Sequence, residues 1–210
     1  LSDWSSDVCS SDLAWAAIVA PAAAQGEHER RLAAELSVVA GDLRRLEAAD
    51  RLPPQREGLR ARIAGALASL GLLLRRAGDD AKAATKLRDA WTRSDMREFG
   101  AALDALRRRH PFDARSLLPE RSTAAQRAVG EAIHREACAG CHDAPAADAR
   151  LPALDLRAEV KRMPREEFAA RLLLGVRGDR STAFHNPFSD LELAALFAWY
   201  EDAQPGDRTR

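Results

Sequence analysis

Cys138-Ala139-Gly140-Cys141-His142 concentrates more reactive side chains than any other stretch of this chain, with two thiols three positions apart and an imidazole directly after the second. The C-x-x-C-H pattern implies covalent attachment of one haem: each thiol can add to a porphyrin vinyl group while the adjoining imidazole binds the iron. Two other uses of paired cysteines fit less well. A zinc site wants four soft ligands, and the chain has no second pair of cysteines to supply them. A thioredoxin-like redox motif would follow a strand and open a helix, whereas here a helical pattern runs into the motif from upstream.

The elements around the motif read as helical. Thr123 to Cys138 sets Val129, Ile133 and Ala137 on one face, so a helix delivers the cysteines. Asp143 to Leu156 is punctuated by prolines and predicts a loop wrapped around a prosthetic group. A helix is predicted over Glu166 to Leu174, with Phe168 and Leu172 inward and Gly175 as its stop. The turn-rich run Val176 to Arg180 leads to Phe184-His185-Asn186-Pro187-Phe188. Ser189-Asp190-Leu191-Glu192 then has the form of a capping box, and Leu193, Leu196, Phe197 and Tyr200 line a last helix. The tail from Pro205 is polar.

Upstream, Leu32, Leu36, Val39, Leu43 and Leu46 step by 4, 3, 4 and 3, one face of a helix that runs from Glu27 to about Ala49. Pro53-Pro54 breaks the pattern and opens a second helix through Leu59, Ile63, Leu67, Leu70 and Leu74, closed by Gly78. Its other flank is rich in Ala and Leu, which predicts burial on more than one side. Asp79 or Asp80 caps a third helix through Ala84, Leu87 and Trp91. Ser94 or Asp95 caps a fourth through Phe99, Leu103 and Leu106, ending at His110-Pro111. Short links between four helices make an antiparallel bundle the economical arrangement, so the expected fold is all-α. The organisation reads as a bundle over 26–110, a connector over 111–121 pinned by Leu117-Leu118, a haem domain over 122–204 and a tail over 205–210. The helix-end residues His28 and His110 are expected in solvent, and His134 beside the motif in packing.

Residues 1–25 stand apart. Asp3 to Leu13 has no periodicity and matches the translation of a sequencing adapter, so it is set aside as a read artefact together with Cys9. Leu13 to Ala24 reads as the surviving part of an export segment, with Ala22-Ala23-Ala24 as the small residues before cleavage at Gln25. An uncleaved membrane anchor is the competing reading, although no 18-residue apolar run exists to span a bilayer. The 32 basic and 32 acidic side chains cancel, leaving no electrostatic footprint for nucleic acid.

From Thr123 to Asp202 the order of parts resembles a class I cytochrome c: helix, C-x-x-C-H, wrapping loop, middle helix, ligand loop and an aromatic-rich terminal helix. In that family the first and last helices cross at a glycine on one and an aromatic on the other, roles that Gly130 and Trp199 or Tyr200 match. The resemblance implies haem c held by Cys138 and Cys141, iron bound by His142, and attachment in the periplasm or another exported compartment. It departs at the sixth ligand. The family places a methionine in the loop before the last helix, and this chain has none between Gly175 and Ser189. His185 is the strong donor there, Met163 before the middle helix is the alternative, and an open sixth site is the third option. Arg177 and Arg180 are candidates to pair with the haem propionates. A six-coordinate iron favours single-electron transfer between redox protein partners. An open site favours a small-ligand sensor or a peroxidase-like enzyme. The bundle is expected to dock the cytochrome to its partner or to form a homodimer.

Overall fold

The computed structural model describes residues 25–48, 53–145, 151–177, 183–184 and 186–203. The export-like segment, Arg180, His185 and the polar tail lie outside them. The fold is all-α, as expected. Among the described residues, no helix is long and apolar enough to cross a membrane.

Four helices make up the N-terminal half: α1 (Glu27–Glu47), α2 (Pro53–Arg76), α3 (Lys82–Thr92) and α4 (Met96–Arg109). Consecutive helices pack together, and α1 also meets α4, which closes the group around one core. That core contains the leucine stripes read from the sequence, joined by Ala84, Leu87, Phe99, Leu103 and Leu106. Fully burying one such side chain is worth roughly 1.5–3 kcal/mol, which is what sets the register of the helices. Gly78 ends α2 at φ 77°, a left-handed conformation that glycine adopts without strain, and Asp95 caps α4 by accepting from the Glu98 backbone N–H.

Two expectations for this half are corrected. The second flank of α2 is not buried: Ala61, Ala64, Ala68 and Leu72 face outward, because α1 and α3 both pack on its leucine stripe. His110 is not solvated either. It caps the end of α4 only 12% exposed, 2.6 Å from the Asp79 carboxylate, which ties α4 to the end of α2.

The C-terminal half contains α5 (Ala124–Ile133), a π-helical turn (His134–Cys138), α6 (Ala139–His142), α7 (Leu156–Arg162), α8 (Arg165–Leu174) and α9 (Asp190–Asp202). A two-residue antiparallel pair, β1 (Val176–Arg177) with β2 (Ala183–Phe184), interrupts the run between α8 and α9. The helix α7 has no counterpart in the sequence reading, which ended the proline-rich loop at Leu156. It spans only two turns and starts where Asp155 accepts from the Arg157 N–H. Capping boxes open α5 at Thr123/Gln126 and α9 at Ser189/Glu192. The core of this half joins Phe168, Leu172, Leu193, Leu196, Phe197, Trp199 and Tyr200. Ala114 and Leu117 of the connector enter it, with Leu118 at its margin, so the connector is pinned to the C-terminal half.

The two halves are not beads on a string. α1 is buried on a second face as well, where Ala34 and Val38 pack on Ala170 and Leu174 of α8. Charged pairs surround that patch, from Arg30–Asp190 at one end to Arg45–Glu159 at the other.

Candidate functional site

A continuous helical run carries the motif, and its inward face is decided by one close approach. A Cβ on Gly130 would sit 2.6 Å from the Ala195 carbonyl carbon and 2.8 Å from Trp199 Cβ, so α5 and α9 cross where only a hydrogen fits. The crossing expected from Gly130 and Trp199 or Tyr200 is therefore present. The face of α5 differs from the expected one, however. Val129 is 49% exposed and Ala137 also faces outward, while Gly130 and His134 are buried and Ile133 half-buried. Turning Gly130 inward forces this rotation.

Beyond Ile133 the helix widens into the π turn, an expanded hydrogen-bonding pattern that re-aims the residues after it. It ends at Cys138, and α6 then carries Ala139 to His142. Both cysteines are free thiols, with Cys138 half-buried and Cys141 exposed. Burial pushes the Cys138 thiol up.

His142 is oriented by the wrapping loop. Its Nδ1 lies 2.6 Å from the Leu154 carbonyl oxygen. A carbonyl only accepts, so Nδ1 carries the proton and the Nε2 lone pair stays available, which is how a ring is prepared to bind a metal. Burial lowers the pKa of this imidazole despite the carbonyl, favouring the neutral ligand form.

Behind the motif lies a polar chain that the sequence reading did not assemble. His134 is 1% exposed, with Nδ1 2.8 Å from the Tyr200 hydroxyl and Nε2 3.1 Å from Asp143 Oδ1. Because the carboxylate accepts from Nε2–H, Nδ1 must accept from the tyrosine. Burial lowers the His134 pKa more than Asp143 raises it. Burial works to raise the Asp143 carboxyl, yet Arg157 and His134 outweigh it and hold the group below the usual carboxylate range. The Arg157 guanidinium is 2% exposed, bonds Asp143 and Asp155, and lies 5.6 Å from the centre of the Trp199 ring. Trp199 in turn stacks on His134 with centroids 4.5 Å apart. The expectation that His134 serves packing fits this placement, although it packs through hydrogen bonds. The signal available in the sequence was Asp143 directly after His142, and Tyr200 on the terminal helix.

Of the other candidates, Met163 ends α7 and is half-buried against the C-terminal core. The backbone of Arg177 lies in β1. His185 and Arg180 fall outside the described residues.

The donor set fits a covalently held haem. Two free thiols and an imidazole whose Nε2 has no partner among the described residues stand within one short helical run. In addition, Arg157 Nη1 is buried without an acceptor, a donor that a bound acidic group would satisfy. Among the described residues, no group of three or more His, Cys, Asp or Glu could hold a metal ion. A haem iron needs no such group, because the porphyrin supplies four of its ligands. Comparison with protein-family models, with curated proteins and with solved structures gave no match.

Proposed function

We propose that the chain is an exported monohaem c-type cytochrome that carries single electrons between redox protein partners. The observation that carries the reading is the hydrogen bond from His142 to the Leu154 carbonyl, made in the same helical run that presents Cys138 and Cys141. Metal-binding histidines usually donate their non-ligating ring N–H to a carbonyl or carboxylate in this way, which leaves Nε2 as the ligand atom.

Cys138 and Cys141 would anchor the prosthetic group, and His142 would bind its iron through Nε2. When bound, the haem supplies a one-electron couple. The chain contributes rigidity. The α5–α9 crossing at Gly130 fixes the helix that bears the thiols, and the Tyr200–His134–Asp143 chain fixes the residue next to His142. Such bracing limits rearrangement between oxidation states, which suits a carrier. His185 and Met163 remain the proposed sixth ligands, and Arg177 and Arg180 the proposed partners of the propionates. A sensor or peroxidase-like enzyme with an open sixth site is the second reading, favoured by the absence of a methionine between Gly175 and Ser189.

The test is production of the full chain in an exporting host that attaches haem, followed by pyridine haemochrome spectroscopy and low-temperature electron paramagnetic resonance. A covalent haem with a low-spin signal, lost in His185→Ala or in Met163→Leu, is the expected result and names the ligand. A covalent haem already high-spin in the unaltered chain moves the function to the second reading. No covalent haem at all removes both.

A further inference from the structure

The polar chain behind the motif is built for more than bracing. Tyr200 is the one tyrosine in the sequence, and it is fully buried on α9. Its hydroxyl donates to His134 Nδ1 at 2.8 Å, and His134 Nε2–H donates in turn to Asp143 Oδ1 at 3.1 Å. Asp143 directly follows His142, so a single imidazole separates the phenol from the residue next to the proposed iron ligand. To satisfy a buried hydroxyl, one acceptor is enough, and a backbone carbonyl would serve. Here the acceptor is a base, with a lone pair on its near nitrogen and a carboxylate behind its far one. A carbonyl cannot keep a proton, whereas an imidazole can.

A phenol that loses an electron becomes a strong acid, so a tyrosine is oxidised easily only where its proton can leave in the same step. Both departures are provided for at Tyr200. The electron leaves the ring, the O–H bond breaks, and the proton forms an N–H bond at His134 Nδ1. Tyr200 becomes a neutral radical and His134 an imidazolium, whose new charge faces the Asp143 carboxylate that Arg157 holds from the other side. The neighbouring ring is the poorer donor. Trp199 stacks on His134 with centroids 4.5 Å apart and lies 4.9 Å from Tyr200, but the Arg157 guanidinium stands 5.6 Å from the centre of the Trp199 ring. A cation there favours the electron-rich indole and opposes the positive charge that oxidation would place on it. Tyr200 sheds that charge with its proton, so of these two rings the tyrosine is where oxidation comes to rest.

We propose that Tyr200 is a redox-active tyrosine, which gives one electron to a strong one-electron oxidant at the Cys138–His142 site and its proton to His134. The oxidant is of one chemical class, a haem iron that has reacted with a hydroperoxide, and this part rests on the haem reading of the motif. The electron goes to that iron and the proton stays on the imidazole, so the step balances without a further reagent. It supplies the peroxidase-like reading with an electron donor inside the chain itself.

The experiment applies two oxidants to the full chain. Hydrogen peroxide added to the oxidised holoprotein acts through the haem, while flash-generated tris(bipyridine)ruthenium(III) brings its own oxidising power from solution. Freeze-quenched electron paramagnetic resonance identifies the radical in chains carrying ordinary or ring-deuterated tyrosine, and transient absorption follows its rate. With a single tyrosine in the sequence, the label reports on Tyr200 alone. Expected with both oxidants is a tyrosyl signal that narrows with the deuterated ring and is lost in Tyr200→Phe. His134→Gln should slow its formation about a hundredfold, the contribution of a positioned proton acceptor. A tryptophan radical alone, no radical, or formation as fast in His134→Gln as in the unaltered chain would overturn the proposal. Should His134→Gln fail to fold, the unaltered chain in heavy water decides: slower formation supports transfer of the proton with the electron, and an equal rate overturns it. A tyrosyl signal with ruthenium but none with peroxide, on a chain that holds haem, also overturns it. Loss of the haem reading shows separately, as absence of a covalent haemochrome in the unaltered chain, and the ruthenium arm then still judges Tyr200 and His134.

Discussion

Replacing Gly130 with alanine pits two opposed effects against each other, and the structure decides the sign. Alanine gains about 1 kcal/mol over glycine as a helix former. At Gly130 the new methyl would meet the Ala195 carbonyl carbon at 2.6 Å and Trp199 Cβ at 2.8 Å. The first of these is backbone, which cannot swing aside, so α5 and α9 would have to separate. Overpacking of this kind costs typically about 1–3 kcal/mol, and a clash with backbone belongs at the upper end. The net expectation is a loss of about 2 kcal/mol. For a chain of 210 residues, at about 2–4 °C per kcal/mol, that is a fall of roughly 4–8 °C in melting temperature. Gly65 on α2 is the control, because a Cβ there meets nothing within 4 Å. Gly65→Ala should therefore raise the melting temperature by about 2–4 °C from the same propensity term. Circular dichroism melts of the variants and the unaltered chain measure both. A Gly130→Ala chain as stable as the unaltered one would refute the close crossing and, with it, the bracing of the motif by α9.

The acid limb of stability should depend on Asp42. Burial alone would raise its carboxyl pKa, but Arg62 and Arg171 overcome that and hold it below the usual value. A carboxyl depressed in the folded state contributes stability that is complete above the unfolded pKa of about 3.9 and is lost as pH falls through the folded one. Melts from pH 6 down to 2 should therefore show Asp42→Asn less stable at the top of the range and converging with the unaltered chain at the bottom; parallel curves would contradict the pairing. If the proposed two-point haem attachment holds, Cys138→Ala and Cys141→Ala should each retain one thioether. Mass spectrometry under denaturing conditions should still find haem on the chain, with the haemochrome band moved to longer wavelength, and full loss of haem from both single variants would count against two-point attachment.

Much of this fold was legible because its signals are local. The stripes Leu32 to Leu46 and Leu59 to Leu74 repeat at helical spacing and lie in the bundle core, and the Ser189/Glu192 capping box opens α9 where the sequence placed it. The Cys138–His142 motif stands out for the same reason, since two thiols and an imidazole fall within five adjacent residues. Elements whose identity depends on a distant partner were not. The face of α5 was read from Val129 and Ala137, but the contact that orients it is made by a glycine, the residue type that leaves no mark on a hydrophobic pattern. α7 spans too few turns to show a period at all.

The second face of α1 is the most instructive miss. Ala34, Val38, Gly41 and Arg45 are spaced by 4, 3 and 4, a stripe as regular as the leucines beside it, yet its members are small or charged. Read alone they look like a solvated flank. They are buried or half-buried because α7 and α8 bring matching features: Ala170 and Leu174 of α8 against the small residues, and Glu159 of α7 against Arg45. A carboxylate as enclosed as Asp42 is tolerable only with cations already in place, since an unpaired buried charge costs several kcal/mol. Arg62 comes from α2 and Arg171 from α8 in the C-terminal half, so complete neutralisation of Asp42 requires both halves to be folded and in register. The interface thus couples assembly of the N-terminal helices to assembly of the C-terminal half. The same geometry that hid the stripe from a hydrophobicity reading ties the fold of the C-terminal half to α1 and α2.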